Sequence, residues 1–298
     1  MQATAASDRT LRLGLGILWL LDGLLQMQPG MFTMDMVSTI MQPAATGQPG
    51  WLQSLITWSI RLVTPHLVAF NWGVVAIQLL TGLLLLLPGS GLQRAGLWLS
   101  VIWGAIVWLF GEGLGQVLTG SATFLTGAPG SAFFYALFAF ILLLWPRTGT
   151  ASDKGLDRFG QVVAWSLVLA ALLQFSPVFF TGLGLASPFA SAAMMQQPLA
   201  VRHLLDGAAN FAAQVPMALN IAFIAVFALS ALWLYLRPRS PWPYVTAATL
   251  LLLVWVFGQD AGMFWSGMST DPNTAPVLVL ALLAAWRGRP HTWFSHLS

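Results

Sequence analysis

Eight predominantly apolar runs, separated by short polar segments, dominate the pattern along the 298 residues. A membrane-spanning helix needs about 20 apolar residues, and the shorter runs reach that length only with neighbouring Gly, Ser and Thr positions. The pattern therefore predicts an all-α, polytopic membrane protein with eight transmembrane helices. The runs are residues 11–27, 67–87, 92–110, 132–145, 162–180, 215–236, 245–257 and 275–286.

The sequence also contains an internal repeat. Residues 107–115 recur at an offset of 147 as residues 254–262, and this gapless match continues to an Ala-Pro pair in both copies; residues 24–33 recur at an offset of 148. Two matches in the same order indicate a tandem duplication. Four runs per copy give both copies the same orientation, so we expect two parallel four-helix bundles. The predicted domains are residues 1–150 and 151–298.

Composition and charge support a bilayer location. With 57% hydrophobic and 7% charged residues, the chain has too few charges to cover a soluble globule, and its 0 cysteines exclude thiol chemistry. All the basic residues except Arg61 and Arg202 lie at one set of alternate helix ends. The positive-inside rule makes these ends and both termini cytoplasmic, in a bacterial-type cytoplasmic membrane. The high isoelectric point thus reflects topology, and no nucleic-acid partner is expected. The basic residues of this set are Arg9, Arg12, Arg94, Arg147, Lys154, Arg158, Arg237, Arg239, Arg287 and Arg289.

Two long outer segments each contain a predicted interfacial helix, at residues 52–64 and 199–213. One polar stripe on each helix opposes an apolar face, as expected for a helix lying at the lipid headgroups. The alternative is that both stripes face inward and roof a cavity that opens to the outer side. The stripes are Gln53, Thr57 and Arg61 in the first helix and Arg202, His203, Asp206 and Asn210 in the second.

Ionisable residues near membrane depth give the candidate site. Asp22 lies about two turns from the outer end of the first helix, so we expect it to be protonated or paired with Arg61 or Arg202. Glu112 and Asp260 follow the third and seventh helices, where the helix dipole disfavours anions and a cation, an arginine or a retained proton must compensate. Helix capping and interhelical hydrogen bonding are the structural alternative. The predicted ligand- or proton-handling residues are Asp22, Arg61, His66, Glu112, Arg202, His203, Asp206 and Asp260.

Methionine and tryptophan suggest two ligands. Met31, Met34 and Met36 lie in the first outer segment with His66, and thioethers suit Cu(I), so these four residues form a copper hypothesis. Methionine as a flexible apolar filler explains the same residues without a metal. The 15 tryptophans exceed what an interfacial belt needs, and the remainder provide flat walls for a quinone or pack between helices.

The arrangement of each half resembles a known family. Residues 13–23 read Leu-Gly-Leu-Gly-Ile-Leu-Trp-Leu-Leu-Asp-Gly, a long outer segment follows, and the third helix ends in a Gly-rich turn. In these features the chain resembles a fused pair of DoxX/DoxD-like membrane proteins, a group that includes the small subunit of thiosulfate:quinone oxidoreductase. The resemblance implies a setting near quinone or redox enzymes. It supplies no catalytic motif for the turns at Glu112 and Asp260.

Two classes of function remain open from the sequence. The first is an accessory or ligand-binding membrane subunit with an outer-leaflet polar cavity, associated with a quinone or with other subunits of a redox complex. The second is a copper or small-solute transport protein. A polar path from Asp22 to the cytoplasm would favour transport, but the inner halves of the apolar runs offer none. The sequence leaves open whether the protein is an enzyme.

Overall fold

The computed structural model describes residues 2–144, 155–195 and 198–288, with residues 2–5 described by their backbone alone. Within these ranges the chain forms helices and turns and contains no β-strand. The predicted basic positions Arg147, Lys154 and Arg289 lie outside the described residues.

Thirteen α-helices occur in the described ranges, and each of the eight apolar runs lies largely within one of them. The first helix is longer than predicted, because it begins at Gln2. The fifth run is interrupted, because its helix ends at Leu173 and a separate 3-10 helix follows over Pro177–Phe180. The helices are α1 (Gln2–Leu25), α2 (Met34–Met36), α3 (Gln42–Ala45), α4 (Gly50–Val63), α5 (Leu67–Leu86), α6 (Ser90–Phe110), α7 (Ser131–Leu144), α8 (Arg158–Leu173), α9 (Gly182–Met194), α10 (Leu199–Gln214), α11 (Pro216–Leu236), α12 (Trp242–Phe257) and α13 (Thr274–Arg287).

Three helices in the described ranges are long and apolar enough to cross a membrane: the continuous segment Gly50–Leu86, then Ser90–Phe110 and Pro216–Leu236. The helices α7, α8, α12 and α13 are apolar but have 14 to 16 residues. At 1.5 Å per residue, these shorter helices need flanking residues to cross about 30 Å of hydrocarbon.

Two groups of four helices form the core. In the first group α1 packs against α5 and α7, and α6 packs against α5 and α7; in the second, α8 and α12 pack against α11 and α13. Helix α1 also packs against α13, which joins the groups. The contact of α1 with α5 is close, because a Cβ on Gly82 would lie 2.7 Å from the carbonyl oxygen of Gly16. Small residues permit such an approach between apolar helices.

The two groups repeat the same pattern of burial. Along α1 the buried positions include Leu15, Trp19 and Asp22, and along α8 the positions 148 residues later, Val163, Leu167 and Ala170, are buried too. The interhelical amides also match. Asn71 Nδ2 donates to Gln26 O over 3.0 Å, and Asn220 Nδ2 donates to Gln174 O over 2.9 Å. Both asparagines therefore join helices through interhelical hydrogen bonds.

The loops that follow α6 and α12 match except for a length difference. Trp108 Nε1 donates to Pro129 O over 2.7 Å, and Trp255 Nε1 donates to Pro272 O over 2.8 Å. The tryptophans are 147 positions apart and the prolines 143, so the second loop is four residues shorter. The gapless match through the Ala-Pro pairs is therefore wrong at its end. Pro272, and not Pro276, occupies the place of Pro129.

A left-handed turn follows α6 and another follows α12. Four successive residues have positive φ angles in each turn, from Gly113 to Gln116 and from Asp260 to Met263. Left-handed backbone is costly for residues with a Cβ. Glycine is required within the first turn, because a Cβ on Gly115 would lie 1.8 Å from Pro129 O.

The outer segments contain more helix than predicted. The amphipathic helices α4 and α10 occur close to the predicted residues 52–64 and 199–213. In addition, α2, a π-helix over Val37–Met41, and α3 precede α4, while α9 precedes α10 and packs against it. Helix α9 contains Pro188, a residue that disfavours helix interiors.

Candidate functional site

Asp22 is buried at the centre of a polar cluster between α1 and α7. It is 2% exposed, and Tyr135 of α7 donates a long hydrogen bond of 3.4 Å from its hydroxyl to Asp22 Oδ1. The edge of one aromatic ring meets the face of the other where Trp19 contacts Tyr135, with ring centroids 4.8 Å apart. Trp19 Nε1 in turn donates to Ser100 Oγ on α6 over 2.9 Å. Three helices thus fix the surroundings of the carboxyl group.

Glu112 lies in the turn after α6 and caps the beginning of α7. Its Oε1 accepts hydrogen bonds from Ser131 Oγ over 2.8 Å and from Ala132 N over 3.0 Å. The carboxyl group thus lies at the positive end of the α7 dipole, which agrees with the helix-capping alternative for Glu112. Its Oε2 is buried and has no hydrogen-bond partner among the described residues. Burial, and next the carboxylate of Asp271, raise the pKa of Glu112 to about 8.

Asp271 enters the cluster from the other half of the chain. It lies in the loop before α13, where Oδ1 accepts from Asn273 N over 2.7 Å and Oδ2 accepts from Thr270 Oγ1 over 2.8 Å. Its carboxylate is close enough to act electrostatically on Glu112, Asp22 and Tyr135. The polar cluster, defined here as Asp22, Glu112, Tyr135 and Asp271, is thus completed across the two helix groups.

Gln78 of α5 is a buried polar group at the level of Asp22. It is 5% exposed, and its Oε1 has no hydrogen-bond partner within the part of the chain that the structure describes. Helices α1 and α5 run antiparallel, with Gln26 opposite Asn71 near one end and Gly16 opposite Gly82 further along. Gln78 lies between these two contacts along α5, and counting residues along both helices places it opposite residues 19–22 of α1.

The positions that correspond by the sequence repeat to the four residues of the polar cluster and to Gln78 are mostly apolar. All five counterparts are at most 2% exposed. Two of them, Phe124 and Phe227, pack edge to face with centroids 5.7 Å apart. The counterparts are Ala170 for Asp22, Phe227 for Gln78, Gln259 for Glu112, Leu278 for Tyr135 and Phe124 for Asp271.

Gln259, and not Asp260, is the counterpart of Glu112. Its Oε1 accepts from Ala275 N at the beginning of α13 over 2.9 Å, which reproduces the contact of Glu112 with Ala132. Its Nε2 donates to Phe124 O over 3.1 Å. The sequence repeat also aligns Glu112 with Gln259 and leaves Asp260 one residue out of register, and the structure gives the capping role to Gln259.

Asp260 is buried in the second left-handed turn, away from this cap. It is 6% exposed, has a φ of 53°, and neither carboxyl oxygen has a hydrogen-bond partner among the described residues. Burial raises the pKa of Asp260 to about 6. Its place in the first turn is taken by Gly113, where a Cβ would lie 2.2 Å from Ala44 O.

The remaining predicted site residues lie on the surface and do not join the polar cluster. Arg61, His66, Arg202, His203 and Asp206 are all exposed. The stripe on α4 lines an outward-facing groove of about 240 Å³ with Ser54 and Trp58. The stripes therefore face outward and do not roof the buried carboxyl groups, and the partner of Asp22 is Tyr135 instead of Arg61 or Arg202.

The residues of the copper hypothesis differ in their burial. Met31 is 0% exposed and Met36 is 7% exposed, and both lie in an apolar cluster with Val37. Met34 and His66 are exposed. Across the described residues, no group of three His, Cys, Asp or Glu side chains could hold a metal ion. The structure supports the apolar-filler interpretation of Met31 and Met36.

Sequence reasoning missed Gln78, Tyr135 and Asp271. Each has a signal in the duplication: a polar residue in one copy stands where the other copy has Phe or Leu. The signal for Asp271 can be read from the sequence repeat, because Thr270 aligns with Thr123 and Asp271 therefore aligns with Phe124. The signal for Tyr135 depends on the shortened second loop, which only the structure reveals.

The chain matches no family model, no curated protein and no solved structure.

Proposed function

We propose that this chain is a ligand-binding or accessory subunit of a membrane, with one working site at the polar cluster and Gln78. Its two halves arose by tandem duplication and form parallel four-helix bundles that cross the membrane, with both termini cytoplasmic. The ligand is a small planar molecule of the quinone class, held in the outer leaflet. Association with a redox complex follows from the resemblance of each half to DoxX/DoxD-like proteins.

One observation carries this proposal: the first half keeps buried polar groups where the second half packs apolar side chains. Buried polar groups are costly unless they are satisfied, and the second half demonstrates that Ala, Leu and Phe can fill the corresponding positions of the same fold. Stability alone therefore does not require Asp22, Gln78 and Tyr135, whose second-half counterparts are Ala170, Phe227 and Leu278. Their retention is explained by a ligand that contacts them, and the adjacent ring of Trp19 provides a flat apolar wall.

The structure offers no comparable observation in favour of transport. The copper hypothesis needs Met31, Met34, Met36 and His66 to converge, whereas two of these residues are buried and two are exposed. We therefore propose binding and not metal transport as the function.

The experiment compares the native protein with a variant that carries residues of the second half. Asp22→Ala, Glu112→Gln and Tyr135→Leu together give the first half the side chains of Ala170, Gln259 and Leu278. We expect the variant to fold and its affinity for a short-chain quinone to fall roughly 30-fold, because the polar contacts of Asp22 and Tyr135, about 1 kcal/mol each, are lost. Calorimetric titration in lipid nanodiscs measures the affinity.

The matched control changes the exposed groove. Thr57→Ala with Arg61→Ala removes polar groups of α4 that lie outside the polar cluster, and we expect the affinity to stay unchanged. Failure of the native protein to bind quinone or hydroquinone would contradict the proposal. Equal affinity of the converted variant and the native protein would also contradict it.

A further inference from the structure

The outward groove on α4 is lined by a guanidinium, two hydroxyls, a carboxamide and an indole. They belong to Arg61, Ser54, Thr57, Gln53 and Trp58. Near the end of the same helix, Ser59 Oγ donates to Ile56 O and Thr64 Oγ1 donates to Ile60 O, each over 2.7 Å. The hydroxyls of Ser54 and Thr57, by contrast, have no hydrogen-bond partner within the described ranges. They are therefore free to contact a molecule in the groove.

Arg61 determines the charge of that molecule. No carboxylate pairs with Arg61 in the part of the chain that the structure describes, and α4 contains no acidic residue. A guanidinium is always protonated and offers only hydrogen-bond donors, so its partner must be an acceptor and is favoured when it is an anion. The neighbouring hydroxyls can donate to the same group. The groove therefore suits an oxyanion.

An apolar margin lies beside the groove. It consists of Trp51, Trp58 and Leu62, and each of these side chains is more than half exposed. Their spacing of seven and four residues places them along one edge of α4. A molecule that covers both the groove and this apolar margin must combine an anionic group with an apolar body. Tryptophan beside arginine is also typical of a membrane interface.

Packing fixes α4 at one end of the helix groups. On its opposite side, Leu52 and Ile56 are buried and pack with Leu109, next to the last residue of α6. Helix α5 begins at Leu67, directly after the 3-10 helix that follows α4, and belongs to the apolar segment that is long enough to cross a membrane. In the topology proposed above, this end is the outer one. The groove therefore lies at the level of the lipid headgroups.

We propose that the α4 groove binds the phosphate group of an anionic phospholipid in the outer leaflet. Arg61 pairs with the phosphate oxygens, Ser54 and Thr57 donate to the same group, and the apolar margin contacts the glycerol and the upper acyl chains. A free phosphate ion would fill the groove and leave the apolar margin uncovered, so the lipid is the better match. The inference rests on the proposed membrane topology and not on the ligand of the polar cluster.

Helix α10 of the second half provides the comparison. Its Arg202 is exposed, but Asp206, which is also exposed, follows four residues later on the same side of the helix. A carboxylate next to the arginine repels an anion. Arg202 is therefore a matched control: an exposed arginine on an amphipathic outer helix that lacks the arrangement found on α4.

The test is native mass spectrometry of the purified chain with added phosphatidylglycerol or phosphatidylcholine of the same acyl chains. We expect the native protein to bind phosphatidylglycerol roughly tenfold more tightly, because no choline cation competes with Arg61 for the phosphate. Arg61→Ala should abolish this preference, and Thr57→Val, which keeps the shape and removes the hydroxyl, should reduce it severalfold. Arg202→Ala should retain it. Thermal unfolding checks that each variant folds.

Several outcomes would overturn the lipid site. One is equal affinity of the native protein for the two lipids. Another is the same loss of preference in Arg61→Ala and Arg202→Ala, which would indicate general attraction to positive charge. Displacement of phosphatidylglycerol by an equal concentration of inorganic phosphate would assign the groove to free phosphate instead. Loss of the lipid preference in Arg61→Ala with unchanged quinone affinity would support a site separate from the polar cluster.

Discussion

At the scale of residues, Glu112 and Gln259 perform the same capping task with different chemistry. Each offers Oε1 to a backbone amide at the beginning of the following helix, at 3.0 Å to Ala132 N and 2.9 Å to Ala275 N. Only Gln259 has a second polar atom that finds a partner, Phe124 O. The amide is therefore a complete structural solution, and the carboxyl group leaves an oxygen free for another purpose.

We expect Glu112→Gln to preserve stability near neutral pH and to weaken its pH dependence. Burial raises the pKa of Glu112 from 4.5 to about 8, so the folded protein binds this proton more tightly than the unfolded chain does. That contribution to the free energy of unfolding is complete below the unfolded pKa, declines as pH rises across this window, and is lost above the folded pKa. Chemical denaturation of the native protein and of the variant at about pH 6 and at about pH 9 measures this change in the free energy of unfolding.

The reverse substitution is the control. Gln259→Glu loses the donor to Phe124 O and brings a carboxylate toward a carbonyl oxygen, so we expect it to destabilise the protein by about 1–3 kcal/mol. Strong destabilisation by Glu112→Gln at the lower pH, or the same pH dependence in the native protein and this variant, would refute the role given to the carboxyl group.

At the scale of elements, polar contacts divide the helix ends into two levels, one at each end of the helix bundle. Arg12 donates to Leu85 O, and Arg158 forms an ion pair with Asp8, so the beginnings of α1 and α8 and the end of α5 lie together. The contacts of Asn71 and Asn220 lie at the opposite ends of the same helices. Basic residues are concentrated at the first level, which supports its proposed cytoplasmic location.

This topology predicts a cytoplasmic location for the linker between the halves and for the carboxyl end. Reporter fusions after Arg147 and after Arg289 should both be active as cytoplasmic reporters, and a fusion after Gln48 should report the outer side. An external location at either of the first two points would contradict the alternation of eight helices.

Much of the element order is predictable from the sequence, because apolar runs of these lengths fold as helices in a bilayer. The end of α8 was misplaced because Phe175 and the apolar residues 178–180 extend the run beyond Leu173, and hydropathy does not distinguish a helix from a short 3-10 helix. Helix α9 was missed because Pro188 and several small residues weaken its helical pattern. Its contacts with α10 outweigh that weak preference.

The candidate site was only half predictable. Asp22 and Glu112 were identified because a carboxyl group near an apolar segment is rare and costly. Arg61 and Arg202 were expected to turn inward to them, but the α7 helix end and the Tyr135 hydroxyl provide the polar contacts instead. Asp271 could not be placed without the fold, because its loop crosses to the other helix group.

At the scale of the whole molecule, the halves exchange loops. Thr123 Oγ1 of the first half donates to Gln174 Oε1 of the second over 3.0 Å, and Thr274 Oγ1 of the second donates to Gly127 O of the first over 2.5 Å. Asp271 reaches the polar cluster through the opposite loop. Neither half therefore contains the whole polar cluster, and we propose that the two halves form one working site and one packed counterpart.

The most direct test of this one-sided account is photolabelling with a short-chain quinone that carries a diazirine, followed by mass spectrometry of the labelled peptides. The account predicts labels on peptides that contain Asp22, Tyr135 and residues 269–273, competed by the unlabelled quinone and absent in the triple variant. Equal competed labelling around Ala170 and Leu278, or competed labelling confined to the α4 groove, would contradict it.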